Sequence, residues 1–321
     1  MKIFTENEIK QFVEVNLESI EAVEKGFYEF GKGNTVTPPI LRVDVEEHHG
    51  EVDVKTAYVK GYNMFCIKVS SGFFNNASLG LPSGSGMMLL ISAKTGVPQA
   101  IFLDNGYLTD VRTAAAGAIA AKYLAKETVK NVVVIGAGTQ AEHQLTALSK
   151  VRSIEQVHIY SRKIENSKRL AEKINKTLGI EPFPVESLKE SVALADVIIT
   201  ATPSREPVLK GEWLKKGTHV TAMGSDAEHK RELDLEVLKK ASLVVCDVKE
   251  QAFRLGELHH AKSLSKESVV ELGELVVQKQ NGRANDEEIT VCDLTGTGVQ
   301  DTMIALYAYQ KLTEAGLGTT V

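Results

Sequence analysis

Cysteine is scarce in this chain: Cys66, Cys246 and Cys292 stand far apart among 321 residues. An odd count at such spacing excludes a disulfide scaffold and suits a reducing cytoplasm, where the protein is expected to work. The three read as small buried hydrophobes rather than catalytic thiols or zinc ligands. Long apolar runs are missing too; none approaches the roughly 20 residues of a membrane span, so no membrane association is expected. The opening segment MKIFTENEIKQFVEV has no apolar core of the kind a cleaved signal peptide carries. Basic residues are not in excess, with 37 Lys and Arg against 42 Asp and Glu and a net charge of −5, which excludes the footprint of a nucleic-acid binder. No internal repeat, low-complexity tract or Pro-, Ser- or charge-rich linker divides the chain. What is there, 43% hydrophobic and 25% charged residues, is the composition of a soluble globular protein, with length for two packed domains or one large α/β unit.

The first hundred residues mix helix and strand signals. ENEIKQFVEVNLESIEAVEKGFYEFGKG spaces its apolar residues for one or two helices and stops at glycines. After Pro38 and Pro39, the segments ILRVDV, EVDVKTAYV and MFCIKVS alternate as strands do. SGFFNNASLGLPSGSG reads as a loop rich in Gly, Ser and Asn, and MMLLISAKTGVPQAIFL as a hairpin turning at Lys94-Thr95-Gly96. LTDVRTAAAGAIAAKYLA is a long helix whose small residues permit close packing. From residue 130 the texture changes. NVVVIGAG, QVHIYSR, DVIITAT, HVTAMGS, SLVVCDV and ITVCD are short apolar strands separated by helical segments, which predicts a parallel, doubly wound sheet. The expected fold is therefore α/β: an α+β domain over 1–120, rejoined by a C-terminal helix at 300–321, and a Rossmann-type domain over 121–299.

VVVIGAGTQAEHQLTAL supplies the clearest chemical signal. Gly136, Gly138 and Ala141 satisfy G-x-G-x-x-A directly after an apolar strand and at the start of a helix, the setting in which this pattern binds a dinucleotide pyrophosphate. An acid about 20 residues on would normally hold the adenosine ribose. HIYSRK places Ser161 and Arg162 there instead. Arg162 can pair with a 2′-phosphate, which favours NADP(H) over NAD(H); the alternative is a solvated arginine beside NAD.

Three cations stand in unusual places. Arg112 lies near the start of an otherwise apolar helix, where a cation opposes the macrodipole and needs an anionic ligand or an ion pair, with Asp110 or elsewhere. Arg42 in PPILRVDV and Lys68 in MFCIKVS sit in strands with apolar neighbours; each points outward or needs a partner or ligand inside. THVTAMGSDAEHKRELD then ends an apolar run and presents Asp226, which is either a solvated loop residue or a proton carrier at the mouth of a sheet. His48-His49 and His259-His260 are adjacent pairs whose side chains diverge in a strand, so no metal site is expected. His229 reads as a surface residue near Asp226.

The segments PPILR, IKVSSG, LTDVRTAAAGAIAA, VVVIGAGTQAEHQLTAL, GSDAEHKRELD and GTGVQDT together resemble the ornithine cyclodeaminase/mu-crystallin family over essentially the whole chain. IKVSSGFFNN and CDLTGTGVQDT look most similar to its ectoine-utilisation cyclodeaminase-like branch. The resemblance implies that Arg42, Lys68 and Arg112 grip a substrate carboxylate, with Asp53 as a loose counterpart of a further substrate-binding acid. It also implies that Asp226, with Lys68, is catalytic. Implied cofactor contacts are Thr113, Thr139, Gln140, Thr202, Met223, Gly224 and Gly296, beside Gly136, Gly138, Ala141, Ser161 and Arg162. Many relatives carry a lysine before the S-x-G turn, where this chain reads CDLTGTG.

The resemblance thus leads to the expectation of an enzyme with NAD(P)(H) and a small amino- or imino-acid substrate, forming a homodimer through its N-terminal domain. The first expectation is a cyclodeaminase that transfers hydride at the α-carbon through an imine, with cyclisation and release of ammonia. The alternatives are an NADPH-dependent imine reductase or amino-acid dehydrogenase, and a crystallin-like protein that binds NADPH and ligand without catalysis.

Overall fold

The computed structural model describes residues 1–321, the side chain of Ala77 excepted. In chain order it begins β1 (Lys2–Thr5), α1 (Glu6–Phe12), α2 (Leu17–Gly31), β2 (Thr35–Val36), β3 (Leu41–Val45), β4 (Gly50–Val59), β5 (Met64–Phe73), β6 (Gly84–Ser92), β7 (Pro98–Leu103) and α3 (Tyr107–Leu124). It continues β8 (Asn131–Ile135), α4 (Thr139–Val151), β9 (Gln156–Tyr160), α5 (Ile164–Leu178), β10 (Pro182–Val185), α6 (Leu188–Leu194), β11 (Val197–Thr200) and β12 (His219–Ala222). The remainder is α7 (Leu235–Lys240), β13 (Leu243–Cys246), α8 (Lys249–Leu255), β14 (Val269–Glu271), α9 (Leu272–Val276), β15 (Thr290–Asp293), α10 (Gly298–Glu314) and β16 (Thr319–Thr320). These elements form two units, Met1–Thr113 with Thr297–Val321, and Ala114–Gly296.

In the first unit one mixed sheet runs in the order β16-β1-β7-β6-β5-β4-β2, with β3 also paired to β4. Residues directly opposite in an antiparallel pair share a face. The register sets Arg42 opposite Asp53, Asp53 opposite Ser70, and Lys55 opposite Lys68, so all of these side chains emerge on one face. Helix α10 covers that face. Thr302 Oγ1 donates to the Ala57 carbonyl at 2.7 Å and accepts from the Cys66 amide at 3.0 Å. A Cβ on Gly298 would come within 2.3 Å of the Thr56 carbonyl oxygen, so only glycine lets the start of α10 lie so near β4. The opposite face carries Leu41, Val43 and Met87, each 45% exposed or more.

The second unit is a wholly parallel sheet in the order β10-β9-β8-β11-β12-β15-β13-β14. Its central strands are buried on both faces and therefore read as unbroken apolar runs such as VVVI and VII. Alternate residues of β8 enter different cores: Val133 and Ile135 join one, Val132 and Val134 the other. Gly117 of α3 meets α4 so closely that an added Cβ would come within 2.0 Å of Gln144 Oε1, the close packing expected of the alanine-rich helix.

Three features differ from the sequence expectations. The segment read as a loop from Ser71 to Gly86 begins and ends in a ladder, with Ser71 and Gly72 paired to Ser85 and Gly84 and Gly86 paired to Ser70. Backbone pairing overrides the weak strand propensity of Gly and Ser, and an added Cβ on Gly86 would meet the Val69 carbonyl at 2.8 Å. Strand β10, PFPV, is absent from the expected strands because of its prolines. Spaced two apart at the sheet edge, they leave the donors on the paired side intact. The adjacent histidine pairs lie in 3-10 turns rather than strands.

Candidate functional site

In the second unit, β8 ends in a turn shaped by two different demands. Gly136 has φ +125° and donates its N–H to the Tyr160 carbonyl at 2.8 Å; an added Cβ would meet the Ala201 carbonyl at 2.5 Å. Glycine is required there by the protein itself. At Gly138, the N-cap of α4, a Cβ would meet nothing within 4 Å. Packing does not explain that glycine, but the approach of a ligand to bare backbone does. Thr139 and Gln140 open α4, whose first N–H groups point out of the helix end, and Ala141 is fully buried beneath them. A dinucleotide pyrophosphate fits this cradle. Beyond β9, Ser161 Oγ lies 2.6 Å from the Lys163 carbonyl and 2.8 Å from Ser167 Oγ, so it caps its own turn. Arg162 beside it is exposed.

Asp226 lies four residues past the end of β12 in the same unit. Lys230 Nζ donates to its Oδ1 at 2.6 Å, with the lysine side chain 8% and the aspartate 36% exposed. The turn between them is closed by Ser225 Oγ on the Lys230 carbonyl and by the Lys230 amide on the Ala227 carbonyl, each at 2.9 Å. Thr202 and Gly224 both donate backbone N–H to the Glu232 carboxylate, at 2.6 and 2.8 Å. Met223 is half-buried. Gly296 has φ +80° and donates its N–H to Asp247 Oδ2 at 2.6 Å. Sequence reasoning passes over Lys230 and Glu232, although both stand in the segment GSDAEHKRELD around Asp226.

The first unit gathers charge where water is excluded. Asp301, fully buried on α10, pairs Lys68 Nζ at 3.2 Å through one oxygen and Arg112 Nε at 3.0 Å through the other. Gln300 Oε1 accepts a hydrogen bond from the Arg112 guanidinium at 2.8 Å, while the amide Nε2 of this buried residue has no hydrogen-bond partner. Burial, then the Arg112 charge, pushes Lys68 down to about 7, against the pull of Asp301. Lys55, across the ladder from Lys68, adds to the depression. Two buried basic groups thus share one carboxylate, and protonation of Lys68 leaves the cluster with an excess positive charge. An uncompensated buried charge costs several kcal/mol, about 3–5 when a buried pair loses one member, and the weak hold of Lys68 on its proton reflects that cost.

Arg42 is held differently. It pairs with Asp44 at 2.9 Å, with Glu51, and with Asp53 at 3.6 Å. It shares a sheet face with Lys68, but its guanidinium sits among three acids rather than on Asp301. Thr113 Oγ1 donates to the Thr109 carbonyl of its own helix at 2.8 Å. Of the residues that hold the cluster together, sequence reasoning misses Asp301, Gln300 and Lys55. The first two lie in GTGVQDT, and only the position of α10 gives them meaning. Among the described residues no group of three or more His, Cys, Asp or Glu could hold a metal ion, and no helix is long and apolar enough to cross a membrane.

A glycine turn of this kind at the end of a central strand in a doubly wound parallel sheet defines a dinucleotide-binding protein. The chain belongs to the ornithine cyclodeaminase/mu-crystallin family, whose family model it matches over residues 1–316. It is 48% identical to a Rhizobium meliloti protein named as a dehydrogenase, over 100% of this chain and 98% of the relative. It is 46% identical to a cyclodeaminase of Sinorhizobium fredii whose activity is uncharacterized, over 99% and 98% of the two chains. Among solved structures, the Delta(1)-pyrroline-2-carboxylate reductase of Thermococcus litoralis in complex with NADH and L-proline superposes with a TM-score of 0.96, at 35% identity and 100% coverage of both chains.

The position of Lys68 sets a stability signature. Between about 7 and its ordinary value of 10.5 the unfolded chain binds the Lys68 proton and the native chain does not, so native stability rises with pH across that window. Denaturant unfolding of the wild type and of Lys68→Met should show this rise in the wild type and its loss in the variant. Parallel curves would mean that Lys68 keeps an ordinary affinity for its proton.

Proposed function

We propose that the protein interconverts a small α-imino acid and the corresponding α-amino acid with a nicotinamide cofactor. The observation that carries this reading is the pair of buried basic groups, Lys68 and Arg112, that share the single carboxylate of Asp301. Lys68 and Arg112 would bind the ligand carboxylate, and Gln300 Nε2 would donate a further hydrogen bond. Such fixation removes the rotational freedom that makes a bimolecular encounter slow. Bound nicotinamide supplies or accepts hydride at the ligand α-carbon. Asp226, oriented by Lys230, would move the proton at the ligand nitrogen. The bound L-proline of the Thermococcus litoralis reductase supports an imino-acid substrate for this chain.

A second reading, cyclodeamination, is favoured by the cyclodeaminase relative and by the acids Glu51 and Asp53 on the sheet face of Lys68. These could hold a side-chain amine for attack on the imine carbon, with loss of ammonia and no net use of cofactor. Arg162, exposed where a ribose-binding acid would stand, supports NADP(H) over NAD(H). The exposed apolar face of the first sheet supports a homodimer, since Leu41, Val43 and Met87 would be covered by a second copy. Light scattering that gave a monomer mass at micromolar concentration would contradict the dimer.

Incubation with Δ1-pyrroline-2-carboxylate, pyruvate plus ammonia, and L-ornithine distinguishes the two chemistries. Reduction consumes NADPH at 340 nm in proportion to amino acid formed, whereas cyclodeamination releases ammonia with no net change. Asp226→Asn should lower turnover of the accepted substrate by about 10²–10⁴-fold, and near-normal turnover would remove Asp226 from the chemistry. In the same assay Arg162→Ala should weaken NADPH and spare NADH; equal losses would show that Arg162 does not read the phosphate.

A further inference from the structure

The ends of β11 and β12 are tied together by one buried side chain. Glu232 is fully buried, and its carboxylate receives four hydrogen bonds. Oε1 accepts from the Thr202 amide at 2.6 Å and Thr202 Oγ1 at 2.7 Å. Oε2 accepts from Thr200 Oγ1 at 2.7 Å and the Gly224 amide at 2.8 Å. The backbone of Glu232 is itself pinned. Its amide donates to Glu257 Oε1 at 2.7 Å, the next amide donates to Glu257 Oε2 at 3.0 Å, and its carbonyl accepts from Val208 and Leu209 at 2.7 and 3.0 Å. Gly224 is fitted to this clamp, since an added Cβ would lie 2.1 Å from the Thr202 carbonyl and 2.6 Å from the Glu232 carboxylate.

The clamp lies on the side of the sheet that a dinucleotide uses for its nicotinamide half. The pyrophosphate cradle is at the end of β8, the adenosine side runs towards β9, and β11 and β12 lie the other way. From Gly224 the chain reaches Asp226 in two residues. We propose that Glu232 is a positioning residue, whose carboxylate, through Thr202 and Gly224, sets the nicotinamide-side loops and the station of Asp226. This rests on the reading of Asp226 and the cofactor given above. Each carboxylate oxygen faces one backbone N–H, which can only donate. A glutamine in either orientation would therefore turn its NH2 group against an amide donor at Thr202 or Gly224. Burial pushes the Glu232 carboxyl up, and the four donors oppose that push by favouring the ionised form.

The test compares binding of NADH with binding of ADP-ribose, which lacks the nicotinamide, in Glu232→Gln and the wild type. Positioning predicts that NADH weakens about tenfold or more while ADP-ribose changes less than about twofold, and that kcat on the accepted imino acid falls more than KM rises. Equal loss of both ligands, or no loss of either, overturns the proposal. If Glu232→Gln does not fold, Thr200→Val removes one donor to the clamp without changing side-chain shape. NADH should then weaken selectively, and an unchanged or parallel response would overturn the proposal in the same way. The binding comparison needs no turnover. If the wild type converts no imino or amino acid the reading of function fails, yet the fate of the Glu232 proposal is still decided by the two ligands.

Discussion

One carboxylate, Asp301, lies between Lys68 and Arg112 in the interior of the first unit, and most of that unit can be understood as a means of keeping it there. The two cations arrive on different elements, β5 and α3, and the anion on a third, α10, from the far end of the chain. Removing water from three charges is expensive, and a single pair of buried ions rarely gains by it. With Lys68 protonated the cluster has two positive members and one negative, which is worse for stability still and is why Lys68 gives up its proton so readily. Such an arrangement persists because the surrounding structure, Thr302 on the β4 and β5 backbones and Gly298 against Thr56, holds it in place. The proposed ligand carboxylate would bring the negative charge that a protonated Lys68 lacks.

The second unit uses buried carboxylates in the opposite way. Glu232, Glu257, Asp247 and Asp293 sit at or beyond the ends of the parallel strands and accept backbone N–H groups from neighbouring segments. Burial lifts Asp293 to about 8 and raises Glu257 well above the usual carboxylate range. Here the acids order loops. In a doubly wound sheet those loops carry the chemistry, and rigid support for them is worth the cost of burying polar groups.

How much of the fold and the site is legible in the sequence depends on the range of the cause. Gly136 and Gly138 are readable because the demands on them are local: a positive φ, a nearby carbonyl, an open space before a helix. The parallel strands are readable as apolar runs of the right length. Asp301 and Gln300 are not, because an Asp and a Gln at a helix start usually face water, and only the landing of α10 on β4 and β5 buries them. The pairing of Lys55 with Lys68, and of Arg42 with Asp53, requires the ladder register, which alternation alone does not give. The prolines of β10 misdirect for a related reason: their tolerance depends on which side of the strand is the sheet edge.

The central claim is that the Lys68–Asp301–Arg112 group is completed by a ligand carboxylate. Its most direct test is calorimetric titration of the NADH-loaded protein with L-proline, L-alanine and L-ornithine, each against its carboxamide, in buffers of different ionisation enthalpy at pH 8. With Lys68 near 7, at least one amino acid should bind with uptake of a proton, and its amide should bind at least about tenfold more weakly. Equal affinity for acid and amide, or binding without proton uptake, would contradict it.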